Sequence, residues 1–125
     1  MPRVIKFRGF SIIHKKWVYG DLSQPDNRTL IKYTDNGVRK AIEIYLKTVG
    51  QFIGVNDKNG RDIYEGDIVK FRSLIERGTF TGVITYDPIS CCYGVISDKK
   101  FHFYAQLLGV EIIGNIHDTL YQEDN

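Results

Sequence analysis

The chain has 125 residues, of which 42% are hydrophobic and 26% charged, and its formal net charge is +2 at pH 7. That length suits one domain or two small subdomains sharing a core, and the composition excludes a disordered chain. With 17 basic and 15 acidic residues, the strong global field of a dedicated DNA binder is also excluded. Only a local basic face stays open, from short clusters such as Lys15-Lys16, Arg39-Lys40 and Lys99-Lys100.

The composition favours strands. Ile, Val and Thr number 16, 9 and 7, whereas Ala, Leu and Met number 2, 7 and 1. β-Branched side chains lose χ1 freedom in a helix and fit a pleated surface. In chain order, strands are expected near residues 3–8, 10–14, 17–22, 29–34, 38–47, 49–53, 67–73, 79–87, 91–97 and 110–116. The alternation in 79–86 is the clearest: Phe80, Ile84 and Tyr86 share one face, and Thr79, Thr81, Val83 and Thr85 the other. Ile42, Ile44 and Leu46 share a face in the same way. Between the strands lies turn chemistry. His14-Lys15-Lys16 reads as a hairpin tip, Ser23 to Asn27 as a loop, and Asp35-Asn36-Gly37 and Asn59-Gly60 as hairpin signals. Helix is confined to Phe103 to Leu108 and Asp118 to Gln122, each about one turn and too short to stand without packing.

A soft boundary near Thr48-Val49-Gly50 divides the chain. The expected fold is mainly β, with antiparallel strands forming a meander plus a small SH3-like barrel. Residues 1–48 form the meander, 49–118 the barrel and 119–125 a frayed tail, all within one compact unit. Cys91 and Cys92 are adjacent, so on a strand they point to opposite faces; a disulfide framework and a cysteine zinc site are both disfavoured. No run approaches the roughly 20 apolar residues that span a bilayer. The start, Met1-Pro2-Arg3-Val4-Ile5-Lys6, alternates in polarity and lacks a signal-peptide core. A reducing, cytoplasmic setting is expected.

The most distinctive stretch runs from Val49 to Phe71. It reads as a strand, a tight turn at Asp57-Lys58-Asn59-Gly60, an approach through Ile63-Tyr64, and the turn Glu65-Gly66-Asp67 into Ile68-Val69-Lys70-Phe71. It resembles the YopX family of phage and prophage proteins, whose pattern is roughly Gly-Gln-[Phe/Tyr]-x-Gly-Leu-x-Asp-x-x-Gly-x-x-Ile-[Tyr/Phe]-Glu-Gly-Asp-Ile-[Val/Leu]. Ile5-Lys6-Phe7-Arg8 is similar to the family's first strand and Gly82-Val83-Ile84-Thr85-Tyr86-Asp87 to its middle strand. Glu111 to Asp118 is similar to its closing strand. The chain departs from the pattern at Val55, usually Leu, and at Gly9-Phe10, where Ala-Trp-Asp is commoner. The resemblance implies a mainly-β fold and a phage or prophage origin. It implies no activity, and the matched residues read as fold determinants.

The chemistry-bearing residues read mostly as structure. Asp62, Glu65 and Asp67 would suit a divalent metal or paired carboxylates, but a turn with solvated acids is the plainer reading. Asp57-Lys58-Asn59-Gly60 lacks the spacing of a calcium loop. His14, His102 and His117 are scattered, and His102 sits opposite the aromatic side of Phe101-His102-Phe103. No basic or helical context activates Cys91 or Cys92, and Ser11, Ser73, Ser90 and Ser97 lack a nucleophile elbow. The sequence therefore offers no catalytic site, metal site or cofactor site.

Two function classes remain. The first is an accessory protein acting through protein–protein contact or self-assembly, with Leu74 and Ile75 as interface residues in the apolar-tipped loop 73–79. The alternative is a small-barrel nucleic-acid-binding module, in which Lys6, Arg8, Lys70 and Arg72 flank aromatic residues and contact phosphates. No membrane partner is expected.

Overall fold

The structure is a computed structural model, and it describes residues 3–118. Among these residues eleven strands follow one another: β1 Phe7–Phe10, β2 Trp17–Ser23, β3 Leu30–Asp35, β4 Val38–Glu43, β5 Gly50–Asn56, β6 Asp62–Tyr64, β7 Asp67–Ser73, β8 Thr79–Asp87, β9 Cys92–Ser97, β10 Lys100–Phe103 and β11 Leu107–Asn115. The only helical segments among the described residues are single 3-10 turns at Leu46–Thr48 and Tyr104–Gln106. The fold is mainly β, in antiparallel sheets.

The chain divides into two compact units. One comprises the described residues up to Phe52 with His117 and Asp118; the other is Ile53–Ile116.

In the N-terminal unit β4, β3, β2, β1 and the start of β5 are hydrogen-bonded in that order. One face of this sheet carries the core of Val18, Ile31 and Ile44, with Phe7, Leu22, Tyr33 and Ile42 packed on it. The expected strands at 3–8 and 10–14 are replaced by one short strand, β1. Gly9 does not break it: Gly9 pairs with Val18, and Ile44 packs so closely on Gly9 that a Cβ there would collide. Beyond Phe10 the chain turns, with Ser11 N–H donating to the Lys16 carbonyl and Lys15 at φ 55°. The strand expected over 38–47 stops at Glu43. Ile44 makes an isolated bridge to Ser11, and a 3-10 turn follows. Thr48 fixes that turn: its hydroxyl donates to the Tyr45 carbonyl at 2.6 Å and accepts from Phe10 N–H at 2.9 Å. The Asn36-Gly37 signal forms as expected. Asp35 pairs directly with Val38, and both turn residues have positive φ, 50° and 79°.

In the second unit the rest of β5 adjoins β6, and the order β10-β9-β8-β7-β11 forms a five-stranded sheet. Its core is Ile63, Val69, Phe71, Ile84, Val95, Val110 and Ile112, to which Phe80 and Tyr104 add. β10 and β11 remain as sheet edges. β11 begins at Leu107, not near 110, and bulges twice along β7; bulges of this kind disrupt an edge as a template for further pairing. The helix expected from Phe103 to Leu108 is not formed. Only three residues turn, and both Phe103 and Leu107 are extended. The second expected helix lies, except for Asp118, outside the described residues.

Two aspartates tie this unit together. Asp57 is 6% exposed, and its carboxylate accepts from the backbone N–H groups of Asn59, Arg61 and Ile112 at 2.9, 2.9 and 3.0 Å. Burial pushes its pKa up, but the three N–H donors outweigh burial and hold it below the usual value. Asp67, 2% exposed, accepts from Tyr64 N–H at 2.8 Å and closes the Tyr64-Glu65-Gly66 turn, where Gly66 has φ 90°.

Candidate interaction surface

Strand register decides what the outer face of the five-stranded sheet presents. Val69, Phe71, Ile84, Val95 and Ile112 point into the core, so their neighbours in sequence point out. On that outer side Ile68 opposes Val83, Val83 opposes Ile96, and Ile96 opposes Phe101. Four apolar side chains thus form one row across β7, β8, β9 and β10. Phe103 extends the row along β10, edge-on to Phe101 with ring centroids 5.2 Å apart. Ile96 and Phe103 are more than 40% exposed, while Ile68, Val83 and Phe101 are half-buried by one another. Gly94 permits this arrangement, because a Cβ there would run into the Phe101 ring and the His102 carbonyl.

Phe103 also borders a pocket of about 280 Å3 with Ile53, Val55, Cys92, Tyr93, Tyr104 and Ala105. It is smaller than the roughly 300–1,000 Å3 sites that hold drug-sized ligands, and its lining is mostly apolar. One large side chain would fill it. Among the described residues no group of three His, Cys, Asp or Glu is placed to hold a metal ion. Two of the three acids considered for such a role are engaged in separate bonds: Asp62 accepts from the Asn56 amide at 2.9 Å, and Asp67 closes the turn described above.

The residues singled out from sequence fall as follows. Leu74 and Ile75 sit on the β7–β8 loop, each 62% exposed, with Leu74 N–H bound to the Gln106 carbonyl. Lys70 and Arg72 are exposed on the outer face of β7, beyond the apolar row. Arg8 is not exposed: it is 7% accessible, with its guanidinium 5.0 Å over the Trp17 ring. Lys6 is half-buried over Phe52 at 4.7 Å. Of the four cations expected to contact phosphates, only Lys70 and Arg72 are exposed, and a guanidinium sealed against an indole presents no fork to a phosphate. His102 does sit opposite Phe101 and Phe103, and that side of β10 is the buried one. It is 3% exposed and packs on Phe71 and Phe80 at 5.2 and 5.4 Å. Burial, and after it the charge of Lys100, lowers its pKa. Cys91 is exposed with φ 54°, and Cys92 is half-buried in the pocket wall.

A family model described as YopX protein matches residues 6–120. The chain belongs to the YopX family. In YopX terms the most distinctive stretch is now explained by Asp57 and Asp67, two buried carboxylates that hold backbone turns. Among solved structures, one similar to this YopX chain is titled crystal structure of protein EF1440 from Enterococcus faecalis. It is 20% identical, covers 94% of this chain and 96% of its own, and has a TM-score of 0.48. No curated protein matches the chain.

Sequence reading missed the apolar row, the pocket and the 92% exposed Ile89 on the β8–β9 turn. The period-two pattern of Lys100 to Phe103 carried the signal for the row, but it pairs faces without saying which one is buried.

Proposed function

We propose that this YopX protein is a phage- or prophage-encoded accessory β protein that acts by binding another protein, a second copy of itself included. The observation that supports the reading is the apolar row Ile68, Val83, Ile96 and Phe101, continued by Phe103, on a sheet face. Apolar and aromatic side chains aligned across several strands are what the core of a protein interface supplies, with Lys70 and Arg72 as polar rim. The adjoining pocket suits one apolar anchor side chain from the partner. The two unbridged thiols suit a reducing compartment such as the host cytoplasm.

The test is light scattering on the size-fractionated protein, together with affinity capture from cells carrying the phage, for the wild type and for Ile96→Lys/Phe103→Lys. The expected result is a defined oligomer, or a discrete captured partner, that weakens roughly 30-fold or more in the variant. A strictly monomeric protein that retains no partner, or an association untouched by the variant, sinks the reading.

A further inference from the structure

Charge is unevenly divided between the two units. The described residues of the N-terminal unit hold 10 Lys and Arg against 5 Asp and Glu, a formal +5. The second unit holds 7 against 8, a formal −1. Counting Glu123 and Asp124 at the chain end still leaves the first unit at +3. The near-neutral total of +2 conceals this difference.

Part of that charge lies on one sheet face. Phe7, Val18, Leu22, Ile31, Tyr33 and Ile42 take the core side. The register then places Arg8, Tyr19, Asp21, Lys32, Thr34, Arg39 and Glu43 on the other side. Lys32 opposes Asp21 on β2 and Ala41 on β4, so Arg39 is its diagonal neighbour, about 7–8 Å away. Neither Lys32 nor Arg39 forms an ion pair among the described residues. Tyr19 is 49% exposed. Two acids share this side, Asp21 opposite Lys32 and Glu43 at the far end of β4 opposite Leu30, against the three cations Arg8, Lys32 and Arg39. His117, in the same unit, has its pKa lowered by burial and then by the positive charges of Arg8 and Lys47, in line with a positive local field.

We infer that the N-terminal unit binds single-stranded nucleic acid across this face, with Lys32 and Arg39 each holding a phosphate and Tyr19 stacking a base. The excess positive charge selects a polyanion. The exposed ring among the cations selects one with flat, unstacked bases, because base–aromatic stacking needs no particular sequence. A duplex keeps its bases stacked on one another and would use only the cations. The surface differs from the Lys6, Arg8, Lys70 and Arg72 set, and it is independent of the apolar row on the second unit.

The test uses the full chain and a fluorescently labelled 20-nucleotide oligothymidine, followed by anisotropy at several salt concentrations. A duplex of equal length and a polyglutamate peptide serve as competitors. The wild type is expected to bind the single strand with an affinity that falls as salt rises. Lys32→Gln/Arg39→Gln is expected to flatten the plot of log affinity against log salt by about 1.4, two phosphate contacts at roughly 0.7 each. Tyr19→Ala is expected to weaken binding roughly tenfold with little change of that slope, and Tyr19→Phe to restore it. Lys99→Gln/Lys100→Gln, on the second unit, is expected to bind as the wild type does. Lys32 is half-buried and the other changed side chains are exposed; unchanged far-ultraviolet circular dichroism and melting confirm that each variant folds. The inference is overturned if the wild type does not bind at low salt, or if duplex or polyglutamate competes as well as the single strand. It is equally overturned if the Lys99/Lys100 variant loses as much affinity as the Lys32/Arg39 variant.

Discussion

Replacing Asp57 by Ala removes the acceptor for three backbone N–H groups at once. The three do not count equally. Asn59 and Arg61 lie on the exposed β5–β6 turn, where water can replace the carboxylate. Ile112 is 8% exposed and lies beside a bulge in β11, so its N–H is left without a partner. An orphaned buried donor costs about 1–3 kcal/mol, and a lost bond to a charged acceptor about 1.5–3 kcal/mol before rehydration. Taking the full cost at Ile112 and a fraction at the turn gives a loss of about 3 kcal/mol. For a chain of this length that lowers Tm by roughly 12 °C. The pH dependence has a definite sign. The folded pKa lies below the unfolded one, so the carboxylate contributes fully above about pH 4, and its contribution is lost as pH falls towards the folded pKa. Thermal melts of wild type and Asp57→Ala should therefore differ most at neutral pH and converge on acidification. Asp57→Asn should fall between them, since it keeps an acceptor but turns an amide group towards one of the donors. Equal melting temperatures at pH 7, or a gap that ignores pH, would refute the account.

His102 and His117 both have lowered pKa values, so the unfolded chain binds more protons than the folded one just below pH 6.5. Urea midpoints should fall as pH drops from 7.5 to 5, and His102→Leu should show a shallower fall. Gly94→Ala forces the Phe101 ring and the β10 backbone to move; a loss of about 1–3 kcal/mol in denaturant melts is expected, together with weakened partner binding. Arg8→Met keeps the aliphatic stem and removes the cation over Trp17. It should cost about 1–2 kcal/mol and shift the emission of this single tryptophan, whereas Lys16→Met should leave the emission unchanged.

The strands that sequence located best are those with long, unbroken alternation. β7 and β8 match residues 67–73 and 79–87, because each has one apolar face and turn chemistry at both ends. β6 and β10 were not expected as strands. With three and four residues they are too short for periodicity to register, and pairing with neighbours defines them. Tyr104-Ala105-Gln106 reads as a helix because its residues tolerate one, yet a single turn between two strands has no room to propagate. The candidate surface was the least legible part. In Lys70-Phe71-Arg72 the aromatic ring points inward, whereas in Lys100-Phe101-His102-Phe103 the rings point outward and the histidine inward. The two segments share one alternation, and only the pairing of β10 with β9 sets its phase.

Asp57 and Ile112 are 55 positions apart, and β7 takes β11 as its neighbour on one side. During synthesis the ribosome therefore releases β5 through β10 before the strand that completes them. Until β11 emerges, β7 has an open edge and the Asp57 carboxylate lacks its buried donor. A chain terminated early is left with a strand edge and core exposed to proteases and to aggregation. A product truncated before Leu107 cannot complete the sheet that would protect it.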